Sequence, residues 1–410
     1  MNNSKNNESK KVRGISRKTN CWFNHANRLR TSLRVAIGSA LMIASAAMLL
    51  ATAASAATRY IATTGTDTGD CTDPAAPCRT ITYGVAQAIA GDTVSVAAGT
   101  YTEADVTIDK QLSVTGNNAT LDARNHDAGD QGFIISGSEA SGSVLQGFTV
   151  MNAGLEGIFA WNTSNLTISG NTLVHNDAYG PFSEQCANQP DDCGEALHLQ
   201  SVTNSVVSGN YVHNNVGGIL LTDEDGPTSG NVISENRVFH NTKDCGITLA
   251  SHFFIDQCTT PVPPETGGVY QNQVLHNTSN GNGAAGIGFF AGPPGAAAWG
   301  NVADGNIAMH NGFPGVAIHS HTPCQNANDN VVINNTLAGN GPDEDAQTLY
   351  PTGVSVFSDI SAGADPIQNT TISNNTIKHE YYGIFTVNAS NLIGLESNTF
   401  INVTVPISIH

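Results

Sequence analysis

Four segments of the chain share one six-residue pattern, Asn-x-apolar-apolar-His-Asn: NTLVHN (171–176), NRVFHN (236–241), NQVLHN (272–277) and NIAMHN (306–311). Looser copies follow in NYVHNN (210–215), NTLAGN (335–340) and NTIKHE (375–380). A unit this short is one strand and one corner. It cannot bury its apolar residues alone, so repetition dictates stacking of unit on unit.

Between the copies runs a second element, Gly-apolar-x-apolar, in GIFAW (157–161), GILLT (218–222), GITLA (246–250), GIGFF (286–290), GVAIH (315–319), GVSVF (353–357) and GIFTV (383–387). Short β-strands with period-two burial and Gly or Asn at the corners predict a solenoid of parallel strands. Asn is expected at the corners for two reasons: it tolerates left-handed backbone, and stacked on its equivalents it forms an amide ladder.

From Thr58 onward the pattern resembles the right-handed parallel β-helix superfamily, the pectate-lyase-like proteins with carbohydrate-binding and sugar-hydrolase repeats. The resemblance implies an all-β, right-handed parallel β-helix with an N-terminal capping helix. The opening RYIATTGTDTGDCTDPAAPCRTITYGVAQAIAGDTVSVAAGTYTE (59–103) is similar to the start of many secreted β-helix proteins, where a helix plugs the open end. Ile81, Val85, Ala88 and Ile89 fall on one helical face suited to that task. The last run, INVTVPISIH (401–410), shows no comparable cap, so the final coil is expected to pair in an oligomer or lie under a loop. The expected divisions are a signal peptide over 1–57, the cap and first coils over 58–135, and β-helix repeats with loop insertions over 136–410.

Residues 1–34 carry nine Lys and Arg against Glu8 alone and lead into VAIGSALMIASAAMLLATAASAA (35–57). A basic head, an apolar run and the small residues Ala54-Ser55-Ala56 read as a secretory signal cleaved near Ala56 or Ala57. The competing reading is an uncleaved membrane anchor, since the run is long enough to span a bilayer. Losing nine basic residues and one acid takes the formal charge from −18 to −26. Nucleic acid and anionic membrane are then poor partners. A polyanionic substrate needs Ca²⁺ to bridge acid to acid, and no other cofactor is implied. Export also suits the cysteines. Nearest-neighbour pairing predicts Cys71 with Cys78, Cys186 with Cys193 and Cys245 with Cys258, leaving Cys324 over; spacing does not settle connectivity.

The coil register sorts the histidines. His175, His240, His276 and His310 recur at one repeat position, with His213 one residue short of it, and read as structural. Aligned on its Gly, the second element turns its first and third following residues inward. The fourth, outward position reads Trp161, Thr222, Ala250, Phe290, His319 and Phe357; the sixth reads Glu224, His252, His321 and Asp359. EALHLQS (195–201) adds His198 and Gln200 to the same face. Aromatic residues beside hydrogen-bonding groups suit sugar rings, so Trp161, His198, Gln200, Phe290 and Phe357 are candidate substrate contacts. His252, His319, His321, Asp223, Glu224 and Asp359 are candidate acids and bases.

The leading functional reading is binding, with hydrolysis or lyase-type cleavage, of an extracellular polysaccharide. A hydrolase would set one of Asp223, Glu224 and Asp225 against Asp359. A lyase or epimerase would use a His or Tyr base. The resemblance implies Arg or Lys for lyase chemistry, yet only Arg237 and Lys243 lie in the central coils. The alternative is a non-catalytic glycan-binding or cell-surface solenoid. Third comes metal handling, because some periplasmic β-helix proteins of similar type assist copper delivery; His319 and His321 with Asp359, or His252 with Asp244, would then be ligands. No dedicated metal site is assigned on spacing alone.

Overall fold

The computed structural model describes residues 55–124, 130–176 and 195–410. Cys186 and Cys193, and nearly all of the leader, lie outside them. The described chain winds as a right-handed parallel β-helix in which every paired strand is parallel to its neighbour in the next coil. Eleven strands, from Val106–Ile108 to Val405–Ile409, stack in chain order into one face, the front sheet. The opposite side is a 20-stranded sheet. In each central coil it receives two three-residue strands joined at a corner, such as Thr167–Ser169 and Thr172–Val174.

Alternation decides the core. Ile158, Leu197, Ile219, Ile247, Ile287, Val316 and Val354 occupy one inward column, each at most 1% exposed. The next coil lies about 4.8 Å away, so each apolar side chain packs on its own equivalent.

The two duties expected of asparagine are divided between different residues. Asn171, Asn210, Asn236, Asn277, Asn306, Asn335, Asn375 and Asn398 form a buried ladder, each amide donating to the side-chain oxygen of the next. A second ladder runs Asn176, Asn215, Asn241, Asn282, Asn311 and Asn340, and ends on the carboxylate of Glu380. The left-handed corner falls one residue earlier. There His175, His240, His276, His310 and His379 have φ of 55–57°. The recurring histidines are thus corner residues beside a ladder.

At the amino end, Ile81–Gln87 is a helix capped by Thr80, with Ile81 and Val85 buried against the first coil. Ile89 does not join them: the backbone is extended from Ala88, and Ile89 is 45% exposed. The Cys71–Cys78 disulfide is present, with Cα atoms 5.2 Å apart. In the last described coils Ile393, Ile401 and Ile409 are exposed.

Candidate functional site

The front sheet presents the outward columns expected from period-two burial. Trp161, Gln200 and Thr222 are register partners in successive coils. Ala250, Phe290, His319 and Phe357 continue that column. Two residues farther along the chain, just past the ends of their strands, stand Glu224, His252 and His321. A cleft of about 460 Å³ opens over this face, with His252, Phe290, Phe313, His321 and Asp345 in its walls.

One polar row crosses four coils. The Glu156 carboxylate lies 3.5 Å from His198 Nδ1, and His198 Nε2 lies 2.8 Å from Thr222 Oγ1. The Thr222 hydroxyl donates to Glu224 Oε2, and Glu224 Oε1 lies 2.8 Å from His252 Nδ1. Since the Thr222 proton goes to Glu224, Thr222 accepts from His198, which fixes a proton on His198 Nε2. Burial raises the Glu224 carboxyl, but the His252 hydrogen bond and charge outweigh it and hold the group at about 2. An ionised Glu224 orients the His252 ring and supports a positive charge on it, as an orienting carboxylate does for a general base.

The second cluster centres on His319, which is fully buried. Its Nε2 lies 2.8 Å from Asp343 Oδ2, and its Nδ1 lies 3.4 Å from Asp345 Oδ2 without making a hydrogen bond. His321 Nε2 stands 4.0 Å from the same Asp345 oxygen. Burial pulls His319 down, yet the Asp343 and Asp345 carboxylates carry it up to about 9. Burial and the His319 charge push His321 below its ordinary value.

Several sequence candidates sit differently from expectation. Asp223 faces inward and is fully buried; its carboxylate accepts from Ser251 Oγ and from the backbone N–H groups of His252, Phe253 and Gly268. It anchors the strand end that aims His252 and offers nothing to the cleft. Asp359 caps the short helix Ile360–Ala362, accepting from the N–H groups of Ser361 and Ala362. Asp225 accepts from Gln200 Nε2 at 2.9 Å. His198 is only 6% exposed and reaches the face through Thr222. Trp161 stays on the surface at 37% exposure, while Phe290 and Phe357 pack beside His319 with ring centroids 5.2 and 5.6 Å away.

The Cys245–Cys258 pairing is not formed. Cys245 is a buried free thiol in the cleft wall, and Cys258 points instead to the coil end at Pro323, its Sγ 3.4 Å from that carbonyl oxygen. The thiol of Cys324 is raised to about 11, first by its hydrogen bond with Cys258. Nearest-neighbour pairing fails here because the 252–268 insertion carries Cys258 toward a later coil.

Glu156, Phe313, Asp343 and Asp345 were not among the expected site residues. Asp343 and Asp345 belong to the insertion GPDEDAQTLYP (341–351), whose three consecutive acids were the available signal. Phe313 lies just before the Gly that opens the His319 strand.

Among solved structures, the A-module of the Azotobacter vinelandii mannuronan C-5 epimerase AlgE4 aligns with 78% of this chain and 88% of its own, at 14% identity and TM-score 0.53. The AlgE6 A-module from the same organism aligns over 78% and 87%, at 12% identity and TM-score 0.51. Pectate lyase Pel9A aligns over 74% and 77%, at 17% identity and TM-score 0.48. At these identities the first two establish a shared fold. No curated protein matches the chain. A family model does match, over residues 78–286, just over half of the sequence. By that match the chain belongs to the NosD family, whose description is periplasmic copper-binding protein.

Proposed function

We propose that this chain is an exported β-helix protein whose front groove binds a saccharide segment, with His252 as the acid/base group of the cleft and Glu224 as its orienting carboxylate. The observation that carries the reading is the cleft itself: about 460 Å³ of space, the aromatic rings of Phe290 and Phe313 in its lining, and a histidine bonded to a held carboxylate. The mannuronan epimerase modules that share the fold are named for action on a polysaccharide. Export is supported by the leader and by the Cys71–Cys78 disulfide. Among the described residues no helix is long and apolar enough to cross a membrane.

The two-carboxylate hydrolase pair loses support, since Asp223 is turned inward and Asp359 is engaged as a cap. Proton transfer by His252, with Lys243 in the same cleft wall, favours lyase-type or epimerase-type chemistry over hydrolysis.

The test is a panel of neutral and uronate polysaccharides offered to wild type, His252→Ala and Glu224→Gln. It scores retention on the glycan, reducing ends and unsaturated-product absorbance. Retention of a glycan with product formed by wild type and lost in both variants supports the full reading. Retention without product removes the catalytic part. No retention of any glycan by wild type overturns the proposal. Copper handling is a second reading, favoured by the family description and by the donor set at His319, His321 and Asp345, which fits such an ion.

A further inference from the structure

We propose that Cys258 and Cys324 are joined by a disulfide in the exported protein, a bond that fastens the 252–268 insertion across two coil steps and fixes one rim of the cleft. Both are thiols in this structure, and both are half-buried.

Hydrogen bonds bring the two cysteines together from coils that are not neighbours. Ile255 N–H donates to the Pro294 carbonyl at 2.9 Å and Val262 N–H to the Gly295 carbonyl at 2.8 Å, so the insertion lies along the turn that follows the Phe290 strand. Gly295 N–H donates in turn to the Pro323 carbonyl at 3.0 Å, in the coil after. Cys258 Sγ reaches that same carbonyl at 3.4 Å, and its thiol is hydrogen-bonded to the thiol of Cys324.

Both ends of the contact are seated. Val262 is buried, and Ile255 packs so closely over Gly295 that a Cβ there would stand 2.9 Å from three of its carbons. Beside Cys324, the buried Gln325 side chain accepts from Ser320 Oγ and from the N–H groups of His321 and Thr322, and donates to the carbonyls of Gly292 and Pro293. Disulfide geometry excludes most cysteine pairs because their backbones would have to move, whereas two thiols already in contact need little.

Cys245 is the poorer partner. It packs with Ala285 and Ala317 in the cleft wall, and burial carries its thiol well above the ordinary value. Disulfide exchange needs a thiolate.

The oxidant is a donor disulfide, of a thiol oxidoreductase or a small thiol, in the compartment that oxidises Cys71 and Cys78. Cys258, flanked by the exposed Gln257 and Thr259, is the sulfur such a donor meets first. Its thiolate attacks one donor sulfur and releases the other as a thiol. Cys324 then gives up its proton, attacks the Cys258 sulfur and releases the second donor thiol. The protein loses two protons and two electrons, and the two donor sulfurs gain them.

The bond closes a loop over residues 258–324 that contains Phe290, Phe313 and His321, with His252 just ahead of it. His252, Gly292, Pro293 and His321 all border the cleft, so the three coil ends tied together are ones that form its rim. This fastening does not depend on what the groove binds.

The test is a disulfide map of the full exported chain after exposure to oxidised glutathione and blocking of residual thiols under unfolding conditions. Cleavage after Asp244, Asp256, Glu265, Asp304 and Asp329 places Cys245, Cys258 and Cys324 on separate peptides. The expected result is residues 257–265 linked to residues 305–329, with the link lost on reduction. Linkage of Cys258 to any other cysteine, or unlinked Cys258 and Cys324 peptides, overturns the pairing. Fastening is read by limited proteolysis after Phe254, which is 55% exposed in the insertion. The Cys258→Ser/Cys324→Ser variant, which keeps Cys71 and Cys78, is expected to be cut at least about tenfold faster than oxidised wild type, and reduced wild type to match the variant. Equal cutting of oxidised wild type and the variant overturns the fastening of the rim.

Discussion

Replacing Glu380 by Gln should raise stability at alkaline pH and leave it unchanged at acid pH. Glu380 takes the place of the next asparagine in the ladder. Its Oε1 accepts from both the backbone N–H and the side-chain amide of Asn340, each at 3.0 Å, while Oε2 is buried and unpaired. Burial outweighs the Asn340 bonds and carries the carboxyl from 4.5 up to about 7. The folded value lies above the unfolded one, so the folded protein binds more protons between them. The stability lent by the protonated form is therefore present below about pH 4.5 and is lost as pH rises through about 7. At about 1.4 kcal/mol per pH unit, the ionised carboxylate costs about 3 kcal/mol. Gln has the shape of the protonated acid and cannot ionise. Urea denaturation of wild type and Glu380→Gln at a series of pH values between 4 and 9 should show a difference near zero at the acid end, growing to about 3 kcal/mol in favour of the variant at the alkaline end. Taking the difference cancels the other titrating groups. A gap that does not change with pH, or a variant less stable than wild type at alkaline pH, would refute the reasoning.

Other outcomes follow from the same contacts. Asn277→Ala removes the acceptor for the Asn236 N–H and amide and the donor to Ile233 and Asn306, so thermal melting should report a loss of roughly 3–6 kcal/mol. Reducing the Cys71–Cys78 disulfide, which closes a loop across a separation of 7 residues, should cost about 2 kcal/mol in urea. Intact mass of the exported protein should place its first residue at Ala57. Its backbone nitrogen lies 2.7 Å from the buried Asp92 carboxylate, which also holds the Arg59 guanidinium. Asp92→Asn leaves that buried guanidinium with only the exposed Asp70 carboxylate, 3.9 Å away, and thermal melting should show a loss of about 3 kcal/mol.

Much of the front face could be read before folding, because a strand that begins at Gly and alternates apolar with polar side chains has only one sensible parity. That parity places Phe290, His319 and Phe357 in one outward column, and the observed register does the same. It also turns Asp223 inward, one residue out of phase with Glu224, so grouping the two as alternatives conflicted with the alternation itself. What lay outside reach was everything the insertions bring. Asp345, not Asp359, meets His319 and His321, because the 341–351 insertion folds back across the coil whereas Asp359 is claimed by its own helix turn. Cys258 likewise follows its loop to Pro323. Spacing along the chain measures neither excursion. The asparagines were correctly placed at corners, but only packing separates the amide that is buried from the neighbour that bends.

The ladders have a direction. Every rung turns one amide N–H toward the carboxyl-terminal coil and donates the other back to a carbonyl of the preceding coil, so a component of each amide dipole from Asn176 through Asn340 adds along the solenoid axis. Such a row carries partial positive charge at its last donor, as a helix does at its amino end. Glu380 sits at that end. When ionised, its carboxylate faces that row as an acidic residue faces the first turn of a helix, but burial outweighs the attraction and carries the carboxyl up to about 7, so the acid closes the row mostly as a neutral acceptor below that pH. A β-helix with ordered amide ladders is then electrically polar along its length, and lengthening the ladder by a coil would strengthen the field felt by whatever residue closes it.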